Sequence, residues 1–249
     1  MSLSPSEIER YARHLVLPQV GGAGQQRLKA ATVLIVGAGG LGAPAIQYLA
    51  AAGVGTLRIA DHDTVSLSNL QRQVIHATEA VGESKVESAA RAVAALNPHV
   101  TVEPVAARLD ARSAETLLAN VTVALDCSDN FATRFALADA AARARVPLVS
   151  GAVNRFDGQL TVLKPYEAGN PSYRDLVPEA PPLGSVASCE EAGVMGAATG
   201  IVGTLQAAEA IKLIVGIGRP LVGRLLLVDP LAMRFDTISY ERRPAQTRK

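Results

Sequence analysis

The sequence of 249 residues contains no tryptophan, and aromatic residues make up only 4% of it. A core of stacked rings is therefore excluded, and burial must come from the aliphatic side chains that dominate its 49% hydrophobic content. There are two cysteines, Cys127 and Cys189. Two thiols make no disulfide framework and cannot alone supply a four-thiolate zinc site. A reducing, cytoplasmic setting is the expectation. Charge is nearly balanced, with 24 Lys and Arg against 23 Asp and Glu. Nothing suggests a general polyanion-binding surface, so no nucleic-acid partner is expected. The opening MSLSPSEIERYARHL has no apolar run ahead of its charges, so no secretory leader is expected. Residues 33–55 carry no formal charge and are long enough to span a bilayer. Glycines and Pro44 interrupt them, and a strand, turn and helix account for them better, so no membrane partner is expected.

What is present is an alternation. Ser4, Pro5 and Glu7 spell a capping box for a first helix reaching Leu15. GGAG at 21–24 is expected to break the chain. Strands are then predicted at 32–36, 56–61, 100–105, 121–127 and 147–151. Helices are predicted at 40–52, 83–96, 111–119 and 130–144, with Asn97-Pro98 stopping the second. Such alternation predicts a Rossmann-like, doubly wound, mostly parallel α/β sheet. The rhythm changes after Gly151. RFDGQLTVLK reads as a turn into a strand, and 165–189 as a long irregular crossover loop containing Pro165, Pro171, Pro178, Pro181 and Pro182. A glycine-punctuated apolar helix follows at 191–215. Two strands around Asp229-Pro230 extend the sheet in antiparallel fashion. No linker or repeat demands a second domain, so 1–249 reads as one domain with halves at 31–151 and 152–249. A loop as long as 165–189 is functional or disordered.

Four features carry chemistry. Gly37, Gly39, Gly40 and Gly42 form a glycine turn between strand and helix, where backbone can approach a phosphate. Asp61 ends the next strand, where such folds hold a ribose hydroxyl. This much does not separate NAD from ATP. The loop after Asp61 adds Asp63, Asn69, Arg72 and Gln73; an arginine offers bidentate donors to phosphate oxygens. Lys85 falls in the first turn of a predicted helix, where a cation opposes the helix dipole. Either it is aimed at a phosphate or it is a surface lysine offset by Glu83 and Glu87. DCSDN at 126–130 ends another strand at the sheet's ligand-binding edge. There either acid could hold Mg²⁺, or Ser128 or Asp129 could simply cap the following helix. Together the groups suit triphosphate chemistry better than hydride transfer.

VLIVGAGGLGAPAIQYLAAAGVGTLRIADHDTVSLSNLQRQ, VGESKVESA, LDCSDNFATR and GTLQAAEAIKL resemble the HesA/MoeB/ThiF adenylyltransferases, bacterial relatives of ubiquitin-activating enzymes. The resemblance runs from about Ile8 to Ser239, and SLSNLQRQ is its most specific part. It implies activation by ATP and Mg²⁺ of the C-terminal glycine carboxylate of a ubiquitin-like sulfur carrier ending in Gly-Gly. The resulting acyl-adenylate then becomes a thiocarboxylate through a persulfide donor of rhodanese or cysteine-desulfurase type. The pathway would be molybdopterin or thiamine synthesis. By motif position it places Gly40 at phosphate, Asp61 at ribose, Asn69, Arg72 and Lys85 at the phosphates, and Asp129 on Mg²⁺. The nucleotide site implied also includes Ser128, Asn130 and Arg134. Arg13 matches an arginine lent across a homodimer, and 152–249 becomes the carrier-binding half.

Cys189, in SCEEAGV, matches a cysteine some members use in sulfur transfer. Its place before a predicted helix could lower its pKa, while Glu190 and Glu191 oppose that. A reactive and a passive thiol are both open. Cys127 reads as a small buried residue. Many relatives carry two C-x-x-C pairs for structural zinc. Here the first pair's place reads Ser172-Tyr173-Arg174-Asp175 and the tail has no cysteine, so no zinc is expected. Two other readings remain: a NAD-dependent oxidoreductase, which leaves Arg72, Lys85 and Asp129 without a task, and a non-catalytic binder of ubiquitin-like tails.

Overall fold

The structure, a computed structural model, describes residues 2–182 and 192–243. One eight-stranded sheet organises it, in the order β3-β2-β1-β4-β5-β6-β7-β8. The strands are β1 Thr32–Val36, β2 Thr56–Ala60, β3 Thr101–Val105, β4 Val123–Asp126, β5 Leu148–Asn154, β6 Asp157–Leu163, β7 Arg224–Asp229 and β8 Arg234–Ser239. β1 to β5 pair in parallel, and β6, β7 and β8 are added antiparallel, as the sequence predicts. The helices are α1 Pro5–Arg10, α2 Ala12–Leu15, α3 Gly21–Ala30, α4 Gly42–Ala52, α5 Lys85–Leu96, α6 Ala111–Leu117, α7 Phe131–Ala144, α8 Tyr173–Leu176 and α9 Gly196–Val215.

Period-two alternation divides β1 between two cores. Val33 and Ile35 join a cluster with residues of α4, α5 and α9, while Leu34 and Val36 face α6 and α7. Both faces of β1 are thus covered by helices, which is why it reads as a continuous apolar run. After β3 the chain returns to lay β4 on the other side of β1. Strand order reverses there, and the crevice beyond the carboxyl ends of β1 and β4 is where such sheets bind ligands.

Several expectations need correction. The first helix has its capping box, with Glu7 N–H donating to Ser4 Oγ and Ser4 N–H to Glu7 Oε2. It is broken, however, at Tyr11, whose ring packs beneath Gly53 and whose hydroxyl accepts from Asn97. GGAG does not break the chain but begins α3. A Cβ on Gly24 would sit 2.8 Å from Val215 Cγ1, so the small residues let α3 approach the end of α9. As expected, residues 33–55 form β1, the turn and α4. Among the described residues the one helix long and apolar enough to cross a membrane is instead α9, and 56% of its most apolar window is buried, largely against α4, β5 and β6. The crossover loop is not wholly irregular, because Ser172 and Asp175 form a capping box that starts α8.

Candidate functional site

The crevice at the β1/β4 reversal is a cavity lined by five segments together with Val153 of β5. The first is the glycine turn. Gly37 adopts φ +99°, and a Cβ there would lie 2.7 Å from the Cys127 carbonyl, so the turn can press against the end of β4 only as glycine. Gly42 is more constrained: its Cβ would fall 1.9 Å from Gly37 O. Gly42 therefore closes the turn and is not itself on the wall, whereas Gly37, Gly39 and Gly40 are. No side chain caps α4. Among the described residues nothing accepts from the N–H groups of Gly39, Gly40 and Leu41. Unpaired N–H groups at the positive end of a helix dipole favour an anion.

The second segment follows β2. Asp61 Oδ2 accepts from Ala38 N–H at 2.7 Å, and Oδ1 accepts from Asp63 N–H at 2.9 Å. The strand-end acid thus braces the glycine turn as well as facing the cavity. Lys85, the first residue of α5, is buried, and its Nζ lies 2.8 Å from Asp63 Oδ2. Its partner is Asp63, so it is not a surface lysine offset by Glu83 and Glu87; Glu83 pairs with Arg91. Burial alone would raise the Asp63 carboxyl, but the adjacent Lys85 ammonium outweighs it and holds the pKa below the usual range. Arg72 is half-buried on the wall, and its only hydrogen bond among the described residues runs from Nη1 to Ser68 O at 3.2 Å. The Gln73 amide lies against Gly39, and its buried Oε1 has no partner among the described residues.

The third segment follows β4. Asp126 is buried and both its oxygens accept: Ser128 Oγ donates to Oδ1 at 2.6 Å and Ser150 Oγ to Oδ2 at 3.2 Å. Neither Ser128 nor Asp129 caps α7. Asn130 does, its Oδ1 accepting from Thr133 N–H at 2.9 Å. This leaves Asp129 an exposed carboxylate on the cavity wall, whose one hydrogen-bond partner among the described residues is Asn130 Nδ2 at 3.4 Å. Arg134 Nη2 donates to Ser128 O at 2.7 Å and also lines the cavity. The fourth segment, 107–109 after β3, contributes Arg108, and the fifth, at the start of α9, contributes Val194 and Thr199.

Besides Gly42, two predicted residues lie off the wall. Asn69 is buried in a 3₁₀ turn, its Oδ1 accepting from Ser66 N–H at 3.4 Å, and is not on the wall. Arg13 is exposed on α2 and does not line the cavity. Cys189 lies outside the described residues. Cys127 is on the wall, but burial, then the neighbouring Asp126, push its thiol far above the usual range, which suits a passive role. At Ser172-Tyr173-Arg174-Asp175, Asp175 Oδ2 accepts from Ser172 N–H and Oγ at 2.7 Å each, and Oδ1 accepts from Arg243 N–H at 2.9 Å. A carboxylate thus ties α8 to the tail. Sequence reasoning missed Arg108, Thr199 and His76. His76 is buried behind the turn, with Nε2 2.9 Å from Ala38 O and Nδ1 2.9 Å from Ser88 Oγ. A lone histidine in QVIHA carries no spacing signal.

An anion-ready glycine turn, two cationic side chains beside it and an uncommitted carboxylate opposite define a nucleotide-binding α/β domain equipped for phosphate chemistry. A family model described as the ThiF family matches residues 11–248, and the chain belongs to that family. It is 49% identical to the SAMP-activating enzyme E1 of Haloferax volcanii over 98% of this chain and 89% of that protein. It is 48% identical to the sulfur carrier protein adenylyltransferase of Thermus thermophilus, covering 98% of this chain and 91% of that one. A probable adenylyltransferase/sulfurtransferase, MoeZ of Mycobacterium tuberculosis, is 49% identical over 98% of this chain, which spans 63% of MoeZ. Among solved structures PaaA superposes with a TM-score of 0.80 at 25% identity, over 97% of this chain and 76% of that one. MccB of E. coli with ATP superposes at 0.81, over 97% and 74%; at 21% identity it shows the fold alone.

Proposed function

We propose that the protein is an ATP-dependent adenylyltransferase that activates the C-terminal glycine carboxylate of a ubiquitin-like sulfur carrier. The observation that carries this reading is Arg72 and Lys85 beside the glycine turn, with Asp129 uncommitted on the same wall. The printed names of the relatives, all activating enzymes or adenylyltransferases, support it.

The chemistry is an attack by a carboxylate oxygen on the α-phosphorus of ATP; the bond to the bridging oxygen breaks and pyrophosphate leaves with its electron pair. Two anions must meet, so the protein's work is charge neutralisation and alignment. The N–H groups of the glycine turn receive phosphate oxygens, and Asp61, besides bracing the turn, faces the ribose. Lys85 shifts from Asp63 toward phosphate while Arg72 supplies a two-pronged donor. Asp129 fits Mg²⁺, because a hard cation takes carboxylate oxygens and Asp129 is exposed on the wall, whereas Asp126 is buried and does not line the cavity. That ion would neutralise charge on the leaving pyrophosphate. The carrier tail enters past Val153 and Val194.

Arg13, exposed on α2 beside exposed Val16 and Leu17, suits donation to a second copy in a homodimer. A persulfide donor would consume the acyl-adenylate, and the reaction fits the cytoplasm. The decisive experiment is ATP–pyrophosphate exchange with Mg²⁺ and purified carriers ending in Gly-Gly. Exchange with one carrier supports the reading and identifies the pathway. ATP binding without exchange for any carrier would favour a non-catalytic binder.

A further inference from the structure

The peptide joining Ala38 to Gly39 is held by His76, which does not line the cavity. A trans peptide points its C=O and N–H in opposite directions. His76 holds the Ala38 carbonyl from behind at 2.9 Å, so the Gly39 N–H must face the other way, toward the cavity that Gly39 lines. The preceding N–H, that of Ala38, is fixed by Asp61. A carbonyl only accepts, so Nε2 carries the proton and Nδ1 accepts from Ser88 Oγ. Burial pushes the imidazole pKa down, which keeps it neutral. Ser88 lies one turn after Lys85 on α5, and His76 itself ends the loop bearing Arg72. One ring therefore links the glycine turn, the arginine loop and the lysine helix.

We infer that His76 is a positioning residue for the phosphates: through the Ala38 carbonyl it sets the aim of the Gly39 N–H and its register with Lys85. This rests on the nucleotide-binding reading above, which wild-type ATP binding tests separately. Two near-isosteres separate the contacts. His76→Gln can place an amide N–H where Nε2 stood and keep the Ala38 bond, whereas His76→Asn reaches only the Nδ1 position and loses it.

The test compares dissociation constants for ATP and for adenosine, which lacks phosphates, in both variants and wild type. Losing one hydrogen bond to a charged group predicts that His76→Asn weakens ATP roughly tenfold or more. Adenosine should change by less than about twofold, since phosphate contacts set the difference. His76→Gln should recover most of the ATP affinity. Equal losses for ATP and adenosine would mean that His76 merely supports the fold and would overturn the inference. So would unaltered ATP affinity in His76→Asn, or a loss in His76→Gln as large as in His76→Asn.

Discussion

Replacing Lys85 by methionine separates its charge from its bulk. The side chain is only 7% exposed, and methionine keeps most of the stem's packing. The Asp63 partner is 51% exposed, so water can solvate the carboxylate left behind. Half-exposed pairs contribute little, and the variant should lose less than about 1 kcal/mol of stability. Catalysis should respond differently. One unit charge about 4 Å from a phosphate oxygen is worth about 4 kcal/mol at an effective dielectric constant of about 20. Asp63 competes for the ammonium, so about 3 kcal/mol is a fairer figure, or roughly a hundredfold in rate. Pyrophosphate exchange at saturating carrier and Mg²⁺ measures it, with thermal unfolding as the control. Exchange within about threefold of wild type would refute the role given to Lys85, on the scale that figure sets.

Asp129→Asn removes the uncommitted carboxylate. It should cut exchange at least about tenfold and raise the Mg²⁺ concentration needed for half-maximal rate, without changing the unfolding temperature by more than about 2 °C. Gly42→Ala should be severe in spite of alanine's helix propensity, because the new Cβ meets a backbone oxygen. A loss of about 2–4 kcal/mol in urea unfolding is expected. Asp175→Asn leaves one carbonyl oxygen where two carboxylate oxygens accepted three donors; the Arg243 amide should exchange hydrogen faster in native-state measurements. Glu7 has its pKa lowered to about 2; burial opposes this, but Lys29 and the Ser4 cap outweigh it. Its stabilisation is therefore present above its ordinary pKa of 4.5 and is lost as pH falls toward 2. Stability curves of wild type and Glu7→Gln should differ at pH 7 and converge toward pH 2.

The sequence made local features legible and contacts between distant segments hard to see. β1 was readable to the residue because TVLIV is a bounded apolar run, and the α1 cap because Ser4 and Glu7 have fixed spacing. The capping box at Ser172 and Asp175 has the same spacing and is open to the same reading, but the prolines around it make the stretch read as irregular. GGAG misled because a glycine run signals a break unless one knows that α9 passes Gly24. The site follows the same division. Glycine turn, strand-end acids and Arg72 announce themselves by motif, and the fold gathers them at the β1/β4 reversal. The bonds that aim them, Asp61 to Ala38, Lys85 to Asp63 and His76 to Ala38, join residues 22 to 38 positions apart. No local pattern encodes such pairs. Asn69, equally prominent in its motif, serves its own turn.

The most direct test of the central claim follows the phosphates of ATP in the presence of the carrier that supports exchange. The account predicts that label in the α-phosphate appears on the carrier as an adenylate at its terminal carboxylate, while label in the γ-phosphate leaves as pyrophosphate. Release of γ-label as inorganic phosphate, with no α-label on the carrier, would contradict it.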